Sequence, residues 1–184
     1  MGVNVCLEYA KNHQDNISKM ILISGTILPV QNILMNTHLS GPVIPLLEQA
    51  LQIFPKEFKT FWKYGGWSPI LKRMIRSGGF NPNQVSMDFI ETYLNKLGTL
   101  GPELFFQLIN QMQSHDSLAF VEEIETRSLI VGGNRDKVVP NFLQKLLHEK
   151  LDNSELYIMH SGSHVPQVDF PELINERIQY FLEA

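Results

Sequence analysis

Apolar residues recur along the chain with two different spacings, and each spacing predicts an element of secondary structure. Within residues 2–13, Val3, Leu7 and Ala10 recur at helical spacing, which predicts an amphipathic helix. Residues 19–24 form a short, continuous apolar run of strand length. Because a strand flanked by helices favours a parallel sheet with helices on its faces, the start of the chain predicts an α/β fold.

The alternation of strands and helices returns towards the end of the chain. Residues 128–133 and 155–159 are apolar runs that predict two further strands, with a helix over 140–150 between them. A last helix is predicted over 171–183, where Pro171 suits the first turn. The fold class predicted is therefore α/β, with a parallel sheet of about three strands flanked by helices.

Residues 27 to about 115 lack this alternation. Prolines at positions 42, 45, 55, 69, 82 and 102 divide the stretch into short helical segments. The segment 54–106 contains 11 of the 18 aromatic residues of the chain. We predict an inserted helical domain over 27–115 beside a core of 1–26 and 116–184, with the aromatic rings mainly packing the helices together.

Composition and charge exclude several classes of protein. The net charge is −4 and no basic cluster is present, so we expect no nucleic-acid partner. The single cysteine, Cys6, excludes an intrachain disulfide and a cysteine-based zinc site, and we predict it to be buried on the apolar side of the first helix. No cluster with metal-ligand spacing is present, so neither a metal nor another cofactor is expected.

The sequence also favours a location. No apolar run approaches the length of a membrane span, so we expect none. No charged and then apolar leader is present at the start. A cytoplasmic location is the default expectation.

Two residues with catalytic chemistry follow predicted strands. Asp136 comes after the strand at 128–133, and His164 comes after the strand at 155–159, behind Gly162 and Ser163. Carboxyl ends of parallel strands meet at one edge of a sheet, so the two side chains are expected to lie close together. Histidine exchanges protons near neutral pH, and a carboxylate can orient it. The alternatives are a turn aspartate and a surface-loop histidine.

In this order and spacing, the segments resemble the C-terminal half of an α/β-hydrolase, in the branch of serine esterases and lipases. The similarity covers the whole chain. Met1-Gly2 and the first helix resemble the end of a Gly-x-Ser-x-Gly nucleophile turn and the helix that follows it. The other matching segments are, in order, the next strand, the acid-bearing strand and loop, and the histidine loop with the last helix: residues 19–26, 127–140 and 162–175.

The resemblance implies hydrolysis of a small apolar ester or similar acyl substrate by a Ser-His-Asp triad. Asp136 would be the acid and His164 the base, and the inserted domain 27–115 would form a cap over the site. The nucleophilic serine would lie one residue before Met1. The backbone N–H of Met1 would help to bind the oxyanion.

Other residues fit the roles of nucleophile and acid less well. Ser24, Ser161 and Ser163 do not lie on a strand-turn-helix, so we do not expect them to replace the nucleophile. The strand at 19–24 is followed by no carboxylate, which favours Asp136 as the acid. His160 is expected to support the strand end.

Three alternatives to a complete serine hydrolase stay open. A non-catalytic binding protein and an inactive truncated fragment both fit the missing nucleophile turn. An aspartate nucleophile would instead indicate a dehalogenase or an epoxide hydrolase. Because the strand at 19–24 would be left as a sheet edge, we also expect marginal stability or self-association through it.

Overall fold

The computed structural model describes residues 1–28, 43–65 and 68–184. Residues 29–42 and 66–67 of the predicted cap, Trp67 among them, lie outside the described residues. The sheet has three parallel strands in the order β1-β2-β3: Met20–Ile23, Ser128–Gly133 and Ser154–Met159. Met20 lies beside Ser128, and Ser128 lies beside Ser154. The three carboxyl ends therefore point to the same side of the sheet.

Helices cover both faces of the sheet. Helices α1 (Gly2–His13) and α7 (Asn141–Lys150) pack on one face, and α9 (Pro171–Glu183) packs on the other. Alternate strand residues supply the two apolar layers, since Leu22 and Ile130 belong to the first layer and Leu129 and Val131 to the second. The predicted α/β class, with a three-stranded parallel sheet between helices, is confirmed.

The stretch between β1 and β2 is helical where it is described. Its helices are α2 to α6, with a π-helical turn after α3: Val43–Ile53, Pro55–Thr60, Phe61–Gly65, Pro69–Gly79, Met87–Leu100 and Pro102–Ser114. Prolines begin α3, α4 and α6, and the hydroxyls of Ser68 and Ser86 cap α4 and α5. We refer to residues 43–65 and 68–114 as the helical region.

Three short helical segments complete the described chain. They are two 3₁₀ turns and the helix α8: Gln14–Asn16, Val121–Glu123 and Pro166–Asp169. Within the described ranges, no helix combines the length and apolarity needed to cross a bilayer.

Aromatic side chains pack the helical region together, as the sequence predicts. The Trp62 ring lies 5.1 Å from Phe105 and 6.0 Å from Phe106 between ring centres. Phe80 meets Phe89 and Tyr93 edge-on. These contacts join the π-helical turn to α6, and the end of α4 to α5.

The prediction that Cys6 is buried was wrong. The predicted stripe of Val3, Leu7 and Ala10 is buried against the sheet, but Cys6 is exposed. The sheet contacts only a narrow stripe of α1, and Cys6 lies beside that stripe rather than within it. The thiol is therefore accessible.

Candidate active site

The carboxylate of Asp136 is held in a tight turn at the end of β2. The Asp136 N–H donates to the carbonyl of Gly133 at 3.1 Å, which closes the turn. The side chain is fully buried, and its Oδ1 accepts the N–H groups of Val138 and Val139, both at 2.8 Å. These two bonds fix the orientation of the carboxylate and leave Oδ2 for another donor.

That donor is the ring of His164. His164 Nδ1 lies 2.9 Å from Asp136 Oδ2, and the His164 side chain is 31% exposed. Because the carboxylate accepts, this geometry assigns the proton to Nδ1 and leaves Nε2 free to accept one. An imidazole held in this way can take a proton at Nε2 while the buried carboxylate stabilises the resulting ring charge.

The loops that carry the two residues are bonded directly to each other. We call residues 134–139 the acid loop and 160–165 the histidine loop. Asn134 N–H donates to Met159 O at 3.0 Å, and Arg135 N–H donates to Gly162 O at 2.9 Å. The Asn134 side-chain oxygen accepts the Ser161 N–H at 2.7 Å. The distance between acid and base is therefore set mainly by backbone hydrogen bonds, not by two side chains alone.

Gly133 allows the two loops to approach each other. A Cβ atom at this position would lie 2.2 Å from the carbonyl oxygen of Ser163 and 2.3 Å from that of Gly162. Both atoms belong to backbone, which cannot swing away as a flexible side chain can. Only glycine fits here without moving the histidine loop.

Met1 lies at the start of α1, on a cavity that His164 also lines. The cavity has a volume of about 450 Å³, and its walls include Met1, Gly2 and the histidine. Burial lowers the pKa of the Met1 α-amino group below its usual value of 8.0. Val5 N–H is bonded to Met1 O at 3.2 Å, so the N–H groups before it have no acceptor within the helix. This end of α1 favours negative charge.

The three serines considered as replacement nucleophiles occupy different environments. Ser24 directly follows β1 and has φ 51°, and its buried hydroxyl has no hydrogen-bond partner among the described residues. Residues 25–28 after it do not form a helix. Ser161 has φ 61° and contacts the exposed ring of His160 at 3.1 Å, and Ser163 is buried. Ser161 and Ser163 lie in the loop 160–165 between β3 and α8, which is longer than the tight turn of a nucleophile elbow.

Two further residues beside the site, Asn81 and Asp169, were not predicted. Asp169 is 4% exposed and accepts the Ser163 N–H at 2.6 Å. It also accepts the Asn81 N–H, from the loop after α4, at 3.1 Å. Neither residue belongs to a periodic stretch of the sequence, so no pattern indicated a partner for either.

Solved structures that resemble this one include an esterase and an α/β hydrolase. A thermophilic esterase from Thermogutta terrifontis, with malate bound, matches 99% of this chain and 61% of its own, with a TM-score of 0.72 and 14% identity. MGS-M2, an α/β hydrolase from a Medee basin deep-sea metagenome library, matches 100% of this chain and 62% of its own, with a TM-score of 0.65 and 16% identity. The α/β-hydrolase fold predicted from the sequence is confirmed.

The family follows from the sequence comparison. Residues 38–169 match the family model "Serine hydrolase (FSH1)", and the chain belongs to this family. Uncharacterized hydrolase YugF of Bacillus subtilis (strain 168) is 33% identical over 63 residues, which are 34% of this chain and 23% of that protein. The chain thus spans less than two thirds of the length of the three proteins named here.

Proposed function

We propose that this chain supplies the acid and the base of a Ser-His-Asp triad in a hydrolase of an ester or similar acyl bond. The proposal depends chiefly on the 2.9 Å contact between His164 Nδ1 and the buried Asp136 carboxylate, beside a cavity that Met1 also lines. Membership of a serine hydrolase family supports serine as the nucleophile.

The edge of β1 that faces away from β2 has no neighbouring strand among the described residues, and this supports a position for that serine. The Met20 N–H is bonded to the carbonyl of Arg127, directly before β2, and the Ser24 N–H to that of Val131 in β2. By alternation, the N–H groups of Ile21 and Ile23 point away from β2. Both isoleucines line the cavity. A further parallel strand along this edge can lead into α1, which would place a serine directly before Met1 and facing His164. Self-association through the same edge stays a prediction.

In this proposal the residues act in a defined order. His164 Nε2 takes the proton of the serine hydroxyl as its oxygen attacks the acyl carbonyl, and Asp136 stabilises the charged ring. The Met1 N–H, at the positive end of α1, donates to the oxyanion. The ring then gives its proton to the leaving alcohol. In the second half of the reaction, water attacks the acyl-enzyme with His164 again as the base. The ring returns its proton to the serine oxygen, and the carboxylic acid product is released.

The cavity supports an apolar acyl group as the substrate. Its walls carry Val138 and Val139 of the acid loop, Val165 of the histidine loop and Met112 of α6. An apolar chain buried there would be stabilised by about 25 cal/mol for each Å² removed from water. Because Met112 lies in the helical region, we propose that this region acts as a cap over the site.

Labelling with a fluorophosphonate probe tests the proposal, because the probe reacts covalently with activated serines. Native protein purified from its source is treated, and the labelled peptide is identified by mass spectrometry. We expect the label on a serine directly before Met1, and labelling at least about a thousandfold slower in His164→Ala. Labelling of Ser24, Ser161 or Ser163, or no labelling at all, would contradict the proposal.

Two controls accompany this measurement. His160→Ala removes an exposed histidine from the same loop and should leave labelling unchanged. The 184-residue chain on its own should neither react with the probe nor hydrolyse a short p-nitrophenyl ester. Turnover by that chain that is lost in His164→Ala would place the nucleophile within these residues, against the proposal.

A further inference from the structure

Asp169 is a buried carboxylate whose hydrogen-bond partners are both backbone N–H groups. Its Oδ2 accepts from Ser163 at 2.6 Å and its Oδ1 from Asn81 at 3.1 Å. Among the described residues, no lysine, arginine or histidine forms an ion pair with it. Burying a carboxylate costs free energy, and in the described part of the chain these two hydrogen bonds offset the cost.

The two donors explain why this position needs a carboxylate. Each carboxylate oxygen faces an N–H group, so both oxygens must accept a hydrogen bond. Asparagine has the same shape, but it would present its NH₂ group to one of the two N–H donors. The interaction depends on the second oxygen of aspartate as well as on its size.

The two donors belong to different parts of the molecule. Ser163 precedes His164 in the histidine loop, whereas Asn81 lies in the loop after α4 of the helical region. The Asn81 side chain also donates to Ser161 O at 2.8 Å. The same junction is apolar on one side, since Val165 and Val168 pack against the buried cluster of the helical region: Phe80, Val85, Ile90 and Leu94.

Ser163 is held on two sides, immediately before the histidine. Its N–H is bonded to Asp169, and its carbonyl oxygen packs against Gly133, where a Cβ atom would lie only 2.2 Å away. The backbone that carries His164 therefore has little freedom to move away from Asp136. We call the group of Asp169, Asn81 and Ser163 the Asp169 bridge.

We infer that Asp169 is a positioning residue. It holds the His164 ring in place against Asp136 and couples that position to the helical region through Asn81. This inference deepens the proposed function and rests on it for the role of His164. A shift of the helical region is transmitted to the base through the Asp169 bridge.

Nuclear magnetic resonance of the isotopically labelled 184-residue chain tests the inference. Two quantities are measured in wild type and Asp169→Asn: hydrogen exchange of the Ser163 and Asn81 amides, and exchange with water of the His164 Nδ1 proton. We expect both amides to exchange about tenfold or more faster in the variant, because a charge-assisted hydrogen bond is lost. The Nδ1 proton should also exchange faster, although Asp136 and His164 are unchanged.

Matched variants separate positioning from general destabilisation. Asp116→Asn alters an exposed aspartate that accepts the Leu118 N–H at 2.9 Å, and it should leave the His164 Nδ1 proton unaffected. Asp169→Glu keeps a carboxylate and should restore part of the slow exchange of that proton. If the two Asp169 variants give the same ring-proton exchange, the carboxylate has no positioning role and the inference fails.

A second variant keeps the test decisive if Asp169→Asn does not fold. Asn81→Ala removes the side-chain bond to Ser161 O and a local bond from the Asn83 N–H at 3.0 Å, and it retains the backbone donor to Asp169. It should speed exchange of the His164 Nδ1 proton by a smaller factor, about two- to fivefold. No change in that proton would contradict the coupling between the helical region and the base.

These readouts require neither a nucleophile nor a substrate. If the labelling experiment fails while the Nδ1 proton still responds to Asp169, the Asp169 bridge stands and the proposed function falls. If His164→Ala abolishes labelling while Asp169→Asn leaves both the ring proton and the labelling rate unchanged, the proposed function stands and the positioning role of Asp169 is wrong.

Discussion

The sheet core and the helical region are built differently. In the core, the acid loop and the histidine loop are joined by backbone hydrogen bonds. The sheet beneath them carries a buried apolar layer on each face. The described part of the helical region contains one smaller buried cluster, and several of its large apolar side chains are exposed, among them Phe54, Phe61, Tyr64, Ile70 and Met74. A reaction needs its groups held to a fraction of an ångström, and the backbone hydrogen bonds between the two loops of the core hold the acid and the base.

The two regions meet at few described points near the site. Asn81 reaches Asp169 and Ser161, and Met112 lines the cavity beside His164. The core therefore determines the geometry of the acid and the base. The helical region shapes the cavity and is coupled to the base through Asn81.

The largest expected effect is on the chemistry in the core. Asp136→Asn should lower kcat about ten thousandfold in the native protein, because the amide cannot stabilise the charged ring or fix its tautomer. Met112→Ala, at the same cavity, should raise KM with kcat changed less than about threefold. Steady-state kinetics with a short p-nitrophenyl ester measures both, and Asp152→Asn, in an exposed loop, is the control. An equal loss of kcat in Met112→Ala would contradict the assignment of the acid–base chemistry to the core.

The next largest effect is on the packing of the two loops. Gly133→Ala should destabilise the chain by about 3 kcal/mol or more, because the added methyl meets backbone at 2.2 Å. Gly78→Ala is the matched control, since a Cβ atom there has no neighbour within 4 Å, and it should change stability by no more than about 1 kcal/mol. Urea unfolding gives both values. Similar losses of stability in the two variants would mean that the histidine loop can move away from Gly133 at little cost in free energy.

A core substitution in the helical region should leave the acid–base pair intact. Leu94 is fully buried in the cluster of that region, and Leu94→Ala should cost about 2–3 kcal/mol of stability. The Nδ1 proton of His164 should nevertheless keep its chemical shift, because Leu94 belongs neither to the hydrogen bonds between the two loops nor to the Asp169 bridge. Thermal unfolding and the one-dimensional proton spectrum check the two statements. Loss of that resonance in a folded Leu94→Ala protein would show that the apolar packing of the helical region also holds the pair.

The smallest effect concerns an ion-pair network on β3. Hydrogen bonds from Arg127 and from Arg177 lower the pKa of Glu155 below its usual 4.5. A lowered carboxyl pKa stabilises the fold above pH 4.5, and this contribution is lost as the pH falls through the folded-state value. Glu155→Gln should therefore cost at most about 1 kcal/mol at neutral pH, since the group is partly exposed.

Unfolding midpoints over a pH series check this sign. The difference in midpoint between wild type and Glu155→Gln should be largest above about pH 5 and should shrink towards pH 3. A difference that grows as the pH falls would contradict the assignment. Glu172→Gln, in the first turn of α9, is a suitable control for a carboxylate that forms no ion pair among the described residues.

Elements with a clear period were predicted closely. Helices α1 and α9 and strand β2 have the predicted bounds, because periodic apolar residues and Pro171 define them. Strand β1 is one residue shorter at each end than predicted. Helix α8 was missed, because four residues are too few to show a helical period.

The site was predictable only where the order of the strands determined it. Asp136 and His164 follow neighbouring strands, so their proximity was expected from topology, while their catalytic roles and that of Met1 stay predictions. Tertiary contacts determined the rest. The exposure of Cys6 depends on how much of α1 the sheet covers, and Asp169 gains its partners from a loop that lies 88 positions earlier in the chain.

The position of the acid–base pair along the sequence has a consequence for how the protein folds. Asp136 and His164 belong to one contiguous strand-helix-strand segment, and their contact spans only 28 positions. Short loops close at a lower entropic cost and earlier than long ones. Refolding should therefore form the pair first, and the helical region should join it later, when the longer Asn81–Asp169 contact closes.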